Sequence, residues 1–263
     1  MDKLNKLKGI LRSYGRVAVA YSGGVDSTFL LKVAHDELGA NAIAITSRSL
    51  LNLESDFLAS EEWAKLEGIT QLVVRANELE FPGFAQNPPD RCYICKKALF
   101  AEVKQVAAGA LPGSVVVDGS NVDDLGDYRP GTKALKELEV KSPLLEAGLT
   151  KEEIRDYSHE LGLPTWNKPS AACLASRFPY GDTITTEGLQ RVARAEEVLH
   201  QAGFGYVRVR VHGDVARVEV PPAQIIEFAE RRDAVVPVLR DLGFKYVALD
   251  LQGYRTGSLN EVL

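Results

Sequence analysis

The chain has 263 residues, which is enough for one large domain or two modest ones. Hydrophobic residues make up 45% and charged residues 25% of the chain, and no apolar run is long enough to span a membrane. The net charge of −5 gives no overall electrostatic case for RNA or DNA binding, and the N-terminus has no secretory pattern. We therefore expect a cytoplasmic protein that has neither a nucleic-acid partner nor a membrane partner.

Strands alternate with helices along the N-terminal two-thirds of the chain. After a helix at 2–14, the pattern predicts strands at 16–21, 42–46, 71–76 and 114–119 and helices at 26–38, 54–67 and 93–108. This alternation predicts an α/β fold with a parallel sheet wrapped by helices. In such sheets, ligands bind at the carboxyl ends of the strands.

The pattern changes towards the C-terminus. Thr150-x-x-Glu153 is a capping box that opens a helix, and an irregular segment rich in Pro and small residues follows at 166–182. Beyond it the sequence predicts helices at 186–202, 222–230 and 233–242 and strands at 206–212, 215–220 and 245–251. We therefore predict an N-terminal domain at 1–165, a functional loop at 166–182 and a small antiparallel α+β domain at 183–263.

The residues YSGGVDST at 21–28 join the first predicted strand to its helix. Such a turn directs backbone N–H groups and the positive end of a helix at one point, which suits phosphate. Gly23 and Gly24 allow a close approach to an anion, and Ser22 and Ser27 add hydroxyl donors. An ordinary strand-to-helix loop is the alternative interpretation.

This turn resembles the SGGxDS loop of the ATP pyrophosphatase (PP-loop) family, whose members split ATP and transfer AMP to a substrate oxygen. With ATP bound there, we expect Mg²⁺ on Asp26 and on Asp123 or Asp124. An Asx-type loop cap is the alternative role for the last two. Thr46 ends a predicted strand and faces adenine in this interpretation. Lys168 or Arg177 neutralises charge as a substrate carboxylate attacks the α phosphate.

Three cysteines are the second unusual feature of the chain. Cys92 and Cys95 form a CxxC at the start of a predicted helix, and Cys173 lies in the loop at 166–182. A CxxC alone fits a redox disulfide, half of a zinc site or part of an iron–sulfur site. The chain has no fourth cysteine, and none of its four histidines has a metal-like spacing. Three thiolates suit a [4Fe–4S] cluster with one open iron. Unrelated buried cysteines are the alternative.

Three motifs together carry a closer resemblance. The chain resembles the LarE family of sulfur transferases in three places: the CxxC, DGSNVDD at 118–124 with DYRPG at 127–131, and PSAACLASRFPYG at 169–181. These enzymes serve nickel-pincer nucleotide biosynthesis. The resemblance implies that both carboxylates of pyridinium-3,5-biscarboxylic acid mononucleotide are adenylated and then converted to thiocarboxylates. It also implies a homo-oligomer, with sulfide or iron–sulfur supply proteins as partners.

The family has two sulfur sources. Single-cysteine members give up the sulfur of the cysteine that matches Cys173, whereas three-cysteine members hold a [4Fe–4S] cluster that carries an extra sulfide. Because this chain has all three cysteines, the resemblance favours the cluster-bound sulfide. Sacrificial donation from Cys173 and a cluster-dependent tRNA thiolation enzyme remain as alternatives.

The hairpin after the loop predicts a second anion site. With Gly213-Asp214 as the turn, Arg208 lies opposite Glu219 in an ion pair, and Arg210 lies opposite Arg217 in a repulsive like-charge pair. Arginines splayed into solvent are one interpretation, and a phosphate pocket is the other. The resemblance favours the phosphate pocket, in which Arg208 and Arg210 hold the phosphate of the mononucleotide.

The resemblance also implies residues around the substrate: Ser176, Arg177, Glu196 and Glu227. A motif anchors Ser176 and Arg177. Glu196 and Glu227 rest on spacing alone, and ordinary helix-surface carboxylates are the alternative for both.

Overall fold

The computed structural model describes residues 2–126, 130–169, 172–255 and 257–262. The chain divides into two compact units. The first unit comprises Met1–Ser49, Leu53–Asn77 and Asp90–Ala171, and the second comprises Leu50–Asn52, Glu78–Pro89 and Ala172–Leu263. Two short pieces of the N-terminal half thus belong to the second unit. In the described ranges, no helix has the length and apolar character that a membrane crossing needs.

The first unit is an α/β structure built on a parallel sheet, as the alternating pattern predicted. Its elements are α1 (Lys3–Tyr14), β1 (Val17–Ala20), α2 (Val25–Leu38), β2 (Ala42–Arg48), α3 (Glu54–Leu66), β3 (Gln71–Arg75), α4 (Arg91–Ala110), β4 (Val115–Val117), α5 (Gly131–Glu137), α6 (Pro143–Ala147) and α7 (Lys151–Glu160). The strand order is β3-β2-β1-β4, and all three pairings are parallel. This order places the end of β1 beside the end of β4, where loops from both strands can meet.

The sheet is buried on both faces. Val17 and Val19 of β1 belong to the apolar cluster that includes residues of α1 and α2, whereas Ala18 belongs to the cluster that includes residues of α4. Alternate strand residues therefore enter different layers, and the nearly continuous apolar run of β1 is what a sheet covered on both sides requires.

The second unit holds α8 (Thr186–Gln201), β5 (Arg208–His212), β6 (Val215–Glu219), α9 (Ile225–Glu230), α10 (Arg232–Asp241) and β7 (Tyr246–Leu249). β5 and β6 form the predicted antiparallel hairpin, with Arg208 opposite Glu219 and Arg210 opposite Arg217. β7 pairs with β6 in parallel, so the prediction of a purely antiparallel domain was wrong. The reason is the connection, because α9 and α10 carry the chain across and return it in the same direction.

A buried asparagine holds the segment Glu78–Pro89 within the second unit. Asn87 has a φ of 55° and is fully buried, and its Nδ2 donates to the carbonyl oxygens of Phe178 at 3.3 Å and Pro179 at 2.6 Å. The amide of Gly181 donates in turn to the carbonyl of Asn87. These contacts fix the C-terminal end of the predicted functional loop.

Candidate functional site

The loop between β1 and α2 has the geometry of an anion site. Gly24 is the N-cap of α2 and offers no side-chain cap, so the first N–H groups of the helix receive no side-chain acceptor from it. Gly23 has a φ of 69°, and a Cβ on it would lie 2.7 Å from the Cβ of Ser60. Both the backbone conformation and the lack of space therefore require glycine at position 23.

The two serines of the loop contact each other. The Oγ atoms of Ser22 and Ser27 are 3.0 Å apart, and the Ser27 Oγ accepts from the Ser22 amide at 3.2 Å and donates to the Gly24 carbonyl at 3.3 Å. The structure thus brings Ser22, Gly23, Gly24 and Ser27 together, as the motif predicted. The hydroxyls set the shape of the loop.

Asp26 stands in the first turn of α2 and is held from two sides. Its Oδ2 lies 2.5 Å from Lys151 Nζ, and its Oδ1 accepts from Asn121 Nδ2 at 3.4 Å. The loop after β4 packs closely here, since a Cβ on Gly119 would lie 3.2 Å from the Ser27 amide nitrogen. Asp26 and the loop after β4 therefore meet at the adjacent ends of β1 and β4.

Lys151 is a residue of this site that the sequence analysis missed. It is the first residue of α7, directly after the capping residue Thr150. A cation at the positive end of a helix is electrostatically unfavourable, so a lysine in this position was a signal that could have been read. Its carboxylate partner Asp26 explains why it is tolerated there.

Lys168 reaches the loop from the other side. Its Nζ donates to the carbonyl oxygen of Gly23 at 3.0 Å and forms an ion pair with Asp56 Oδ1 at 2.9 Å. The predicted location of Lys168 beside the glycine loop is therefore what the structure has, and Asp56 is a further neighbour that the sequence did not indicate.

Two other predicted ATP contacts have partners within the protein. Asp123 Oδ2 accepts from the Lys151 amide at 2.6 Å, and Asp124 Oδ2 accepts from the Asn121 amide at 3.0 Å. These are the bonds of the loop-cap alternative.

Thr46 is buried inside β2, which runs two residues beyond it to Arg48, and its Oγ1 accepts from Gln71 Nε2 at 2.7 Å. The roles of Asp123 in binding Mg²⁺ and of Thr46 in facing adenine stay predictions.

The three cysteines are divided between the two units. Cys92 is exposed and Cys95 is half-buried at the start of α4, whereas Cys173 is half-buried and directly precedes the 3₁₀ turn Leu174–Arg177. None of them forms a disulfide. Across the residues that the structure describes, no group of three or more Cys, His, Asp or Glu side chains forms a metal site. A cluster shared by the three thiols therefore stays a prediction.

Arg177 and Glu196 form a buried bidentate ion pair in the second unit. Arg177 Nε lies 2.7 Å from Oε1 and Nη2 lies 2.9 Å from Oε2, and the two residues are 2% and 0% exposed. Glu196 is therefore not the surface carboxylate of the alternative interpretation. The remaining nitrogen, Nη1, lies 2.7 Å from Ser176 Oγ and also contacts the carbonyl oxygens of Ala172 and Cys173.

Glu219 joins two arginines of the hairpin. Its carboxylate accepts from Nε and Nη2 of Arg210, both at 3.0 Å, and from Nη2 of Arg217 at 2.9 Å. The predicted pairing of Glu219 with Arg208 across the strands was wrong, although the register was correct, because long side chains reach diagonal neighbours. A carboxylate thus relieves the like-charge repulsion between Arg210 and Arg217.

The two predicted phosphate ligands are both buried. Arg208 is 6% and Arg210 is 7% exposed, so the interpretation as arginines splayed into solvent was wrong. Arg208 lies over the ring of Tyr254, and Arg210 donates to the carbonyl oxygen of Ser176 at 2.7 Å. Burial lowers the pKa of Arg208, and the positive charge of Arg177 lowers it further. An anion beside Arg208 would offset both effects.

Glu227 has the contacts of an ordinary surface residue. It lies on α9 with its side chain 53% exposed, and its Oε1 is 3.7 Å from Nη1 of Arg231 in an (i, i+4) pair.

Some residues of the family motifs lie outside the described residues: Asp127, Tyr128, Arg129, Ser170 and Ala171.

The fold and the loop define the class of protein. A parallel sheet of order β3-β2-β1-β4, whose first strand leads through Ser-Gly-Gly-Val-Asp-Ser into α2, is the structure of PP-loop, ATP-using enzymes. A partial match agrees with this class. The chain is 29% identical over 163 residues to argininosuccinate synthase of Haloarcula marismortui, and the matched region covers 57% of this chain and 38% of that protein. No family model matches the chain.

Two relatives match over the whole length. The chain is 46% identical over 264 residues to an uncharacterized protein of Synechocystis sp., which covers 100% of this chain and 98% of that protein. It is 40% identical over 263 residues to pyridinium-3,5-bisthiocarboxylic acid mononucleotide synthase of Lactiplantibacillus plantarum, which covers 98% of this chain and 93% of that protein. The chain therefore belongs to the LarE family, and the resemblance read from its motifs is confirmed.

Replacement of Gly23 by alanine tests the backbone of the loop. We expect Gly23→Ala to lower the free energy of unfolding by about 1–2 kcal/mol for the left-handed conformation alone, with the clash against Ser60 adding to it. Gly9→Ala is the control, because Gly9 lies inside α1 and an added methyl group there meets nothing within 4 Å. Urea unfolding of both variants measures the effect. Equal stability of the two variants would contradict the assignment.

Proposed function

We propose that the chain is an ATP-dependent sulfur transferase that adenylates each carboxylate of pyridinium-3,5-biscarboxylic acid mononucleotide and converts it to a thiocarboxylate. The observation that carries the proposal is the PP-loop at the start of α2, in a chain with 40% identity to the Lactiplantibacillus enzyme. The class of protein supports ATP-using chemistry at this loop, and the printed name of the Lactiplantibacillus relative supports the choice of substrate.

In the first step, a substrate carboxylate oxygen attacks the α-phosphorus of ATP, and pyrophosphate leaves with the electrons of the broken P–O bond. The backbone N–H groups from Gly23 to Ser27 bind the β and γ phosphates at the uncapped start of α2. The carboxylate of Asp26 is an oxygen donor of the kind that Mg²⁺ prefers, and Asp123 or Asp124 in the loop after β4 is proposed as the second such donor. Mg²⁺ supplies Lewis-acid charge stabilisation when bound there.

Two lysines complete the phosphate site in this proposal. Lys151 is paired with Asp26 and Lys168 with Asp56. If Asp26 held Mg²⁺, its carboxylate would be taken from Lys151, and the ammonium of Lys151 would be available to a phosphate oxygen. Lys168 already lies at the Gly23 carbonyl, so it needs only a small change to contact the same phosphates. Both cations then stabilise the negative charge of the transition state.

The second step transfers sulfur to the acyl adenylate, with AMP as the leaving group. In the favoured route, Cys92, Cys95 and, by family resemblance, Cys173 would hold a [4Fe–4S] cluster, which would supply a sulfide as the nucleophile. Cys92 and Cys95 lie one helical turn apart at the start of α4, a spacing at which both thiolates could be ligands of such a cluster. Tyr93 steadies this turn by donating to Glu137 of α5 at 2.9 Å.

Two alternatives differ in the source of sulfur or in the acceptor. In the sacrificial route, the Cys173 thiolate attacks the acyl carbon and expels AMP. Loss of the Cys173 α-proton to a base then breaks the Cβ–S bond, which leaves a thiocarboxylate on the substrate and dehydroalanine in the chain. A tRNA thiolation enzyme is the other alternative, and the net charge of −5 counts against it.

The substrate phosphate is proposed to lie beside Arg208 and Arg210 in the second unit. Arg210 is oriented by Glu219, and the burial of both guanidinium groups strengthens their interaction with an anion. The proposal also includes a homo-oligomer and partner proteins that supply sulfide or iron–sulfur clusters. It further includes a role for Ser176 and Glu227 near the substrate.

The direct test is a reaction with the proposed substrate under anaerobic conditions. With Mg-ATP we expect AMP and pyrophosphate in equal amounts and a product in which one oxygen of each carboxylate is replaced by sulfur, as measured by mass spectrometry. AMP formation that depends on the substrate, without sulfur incorporation, would support adenylation and contradict the sulfur step. No AMP from this substrate would contradict the proposal.

Lys151 gives a test of the phosphate site. We expect Lys151→Met to raise the dissociation constant of Mg-ATP about tenfold, which is the equivalent of one charge-assisted hydrogen bond. Lys6→Met is the control, because Lys6 is exposed on α1 in the same unit. Isothermal titration calorimetry measures both. A change that matches the control would show that Lys151 only balances the charge of Asp26.

The cysteine variants separate the two sulfur sources. In the cluster route, Cys92→Ala abolishes both iron binding and sulfur transfer but retains AMP formation, because the PP-loop is untouched. In the sacrificial route, Cys92→Ala keeps sulfur transfer, and the intact mass of the chain falls by the elements of H₂S at Cys173 after one turnover. Anaerobic iron and sulfide analysis with intact-mass spectrometry distinguishes the two outcomes.

A further inference from the structure

We infer that Arg177 is a positioning residue, which fixes the main chain at Cys173 for sulfur transfer and makes no contact with the substrate. The inference rests on the proposed function for its catalytic consequence. Its structural part stands on contacts within the second unit alone, and the structure gives Arg177 a different role from the substrate contact that the resemblance implies.

The guanidinium of Arg177 is held by the protein. Nε and Nη2 lie on the two carboxylate oxygens of Glu196, and Nη1 lies 3.1 Å from the Ala172 carbonyl oxygen and 3.4 Å from that of Cys173. Nη1 also donates to the hydroxyl of Ser176. Four of the five N–H donors thus have acceptors in one carboxylate and one loop, and the Arg177 side chain is 3% exposed, so little of it is open to a ligand.

The carboxylate that anchors Arg177 is itself fixed. Glu196 projects from α8, and its Oε1 also accepts from the backbone amide of Val209 in β5 at 2.9 Å. Because both partners are almost completely buried, breaking the pair would strand an uncompensated charge. The loop carbonyls at 172 and 173 are therefore tied to a helix and a strand of the unit through one rigid bidentate contact.

A second buried arginine holds the other end of the same turn. Arg210 donates to the carbonyl oxygen of Ser176 at 2.7 Å while its Nε and Nη2 bind Glu219 of β6. The Ser176 amide in turn donates to the Cys173 carbonyl at 2.9 Å. Two arginine–carboxylate pairs thus hold main-chain carbonyl oxygens at Cys173 and on both sides of it.

We call the Arg177–Glu196 pair, with its contacts to the carbonyls at 172 and 173, the clamp. The clamp matters for the proposed chemistry because the Cys173 sulfur must be held at a fixed position relative to the acyl carbon. This is so whether that sulfur is a cluster ligand or the sulfur donor. A displacement of about 1 Å at a reacting group can cost about 100-fold in rate. In the proposed function, adenylation uses the PP-loop of the first unit, and the Cys173 sulfur has no part in it. Loss of the clamp should therefore separate the two half-reactions.

The test compares a variant without the pair to a matched control. In Arg177→Met/Glu196→Gln both buried charges are removed together, and the amide oxygen of glutamine can still accept from Val209. The control is Arg194→Met/Glu197→Gln, whose two residues are exposed on the same helix. Arg177→Lys, which keeps the cation, is the second variant and decides the question by the same measurements if the first does not fold.

Hydrogen exchange in the full-length protein measures how firmly the clamp holds the amides of the loop. We expect the amides in 172–178 to exchange at least about tenfold faster in the clamp variant, while those of α8 and of the CxxC turn stay within about twofold of the parent chain. With substrate and Mg-ATP, thiocarboxylate formation should fall about 100-fold and AMP formation should change less than about threefold. The control pair should change neither measurement.

Three results would overturn the inference. Unchanged exchange at 172–178 would show that the pair does not hold the loop, and a rise throughout the second unit would show general destabilisation. An equal loss of AMP and thiocarboxylate would identify Arg177 as a substrate contact. If the parent chain forms no AMP at all, the proposed function fails instead, and the exchange data still decide on the clamp.

Discussion

The arrangement of the nucleotide site depends on the backbone at one junction, where β1 ends and α2 begins. Gly23 adopts a left-handed conformation against Ser60, and Gly24 caps the helix without a side chain. The first N–H groups of α2 are therefore available to an anion, and the positive end of the helix dipole is directed towards the same place. The loop after β4 packs on this junction, and Lys168 contacts its carbonyl.

Paired charges are a common property of both candidate sites. Lys151 lies on Asp26 at the glycine loop, and two buried arginines lie on Glu196 and Glu219 in the second unit. The pairs differ in burial. The lysine pair is partly exposed, so breaking it costs little. The arginine pairs are buried and bidentate, so removing one partner would leave an uncompensated buried charge.

The predicted functional loop at 166–182, which contains Cys173, shows why a motif does not by itself assign a role to each residue. In the family motif, Ser176 and Arg177 stand next to Cys173 and were interpreted as substrate residues. The structure directs the Arg177 side chain back onto its own loop and onto Glu196. The place of Arg177 in the motif therefore does not by itself make it a substrate residue.

The sequence alone determined the class of fold, the strand–loop–helix of the PP-loop, the register of the β5–β6 hairpin and the family. These features rest on local periodicity and on short motifs, whose physical causes lie within a few residues of one another. Only the tertiary structure decided that Lys151 pairs with Asp26, that Glu219 binds Arg210 and Arg217, and that β7 adds in parallel. Those contacts join residues distant in sequence or depend on the reach of long side chains, and no local pattern encodes which acceptor a buried cation will find.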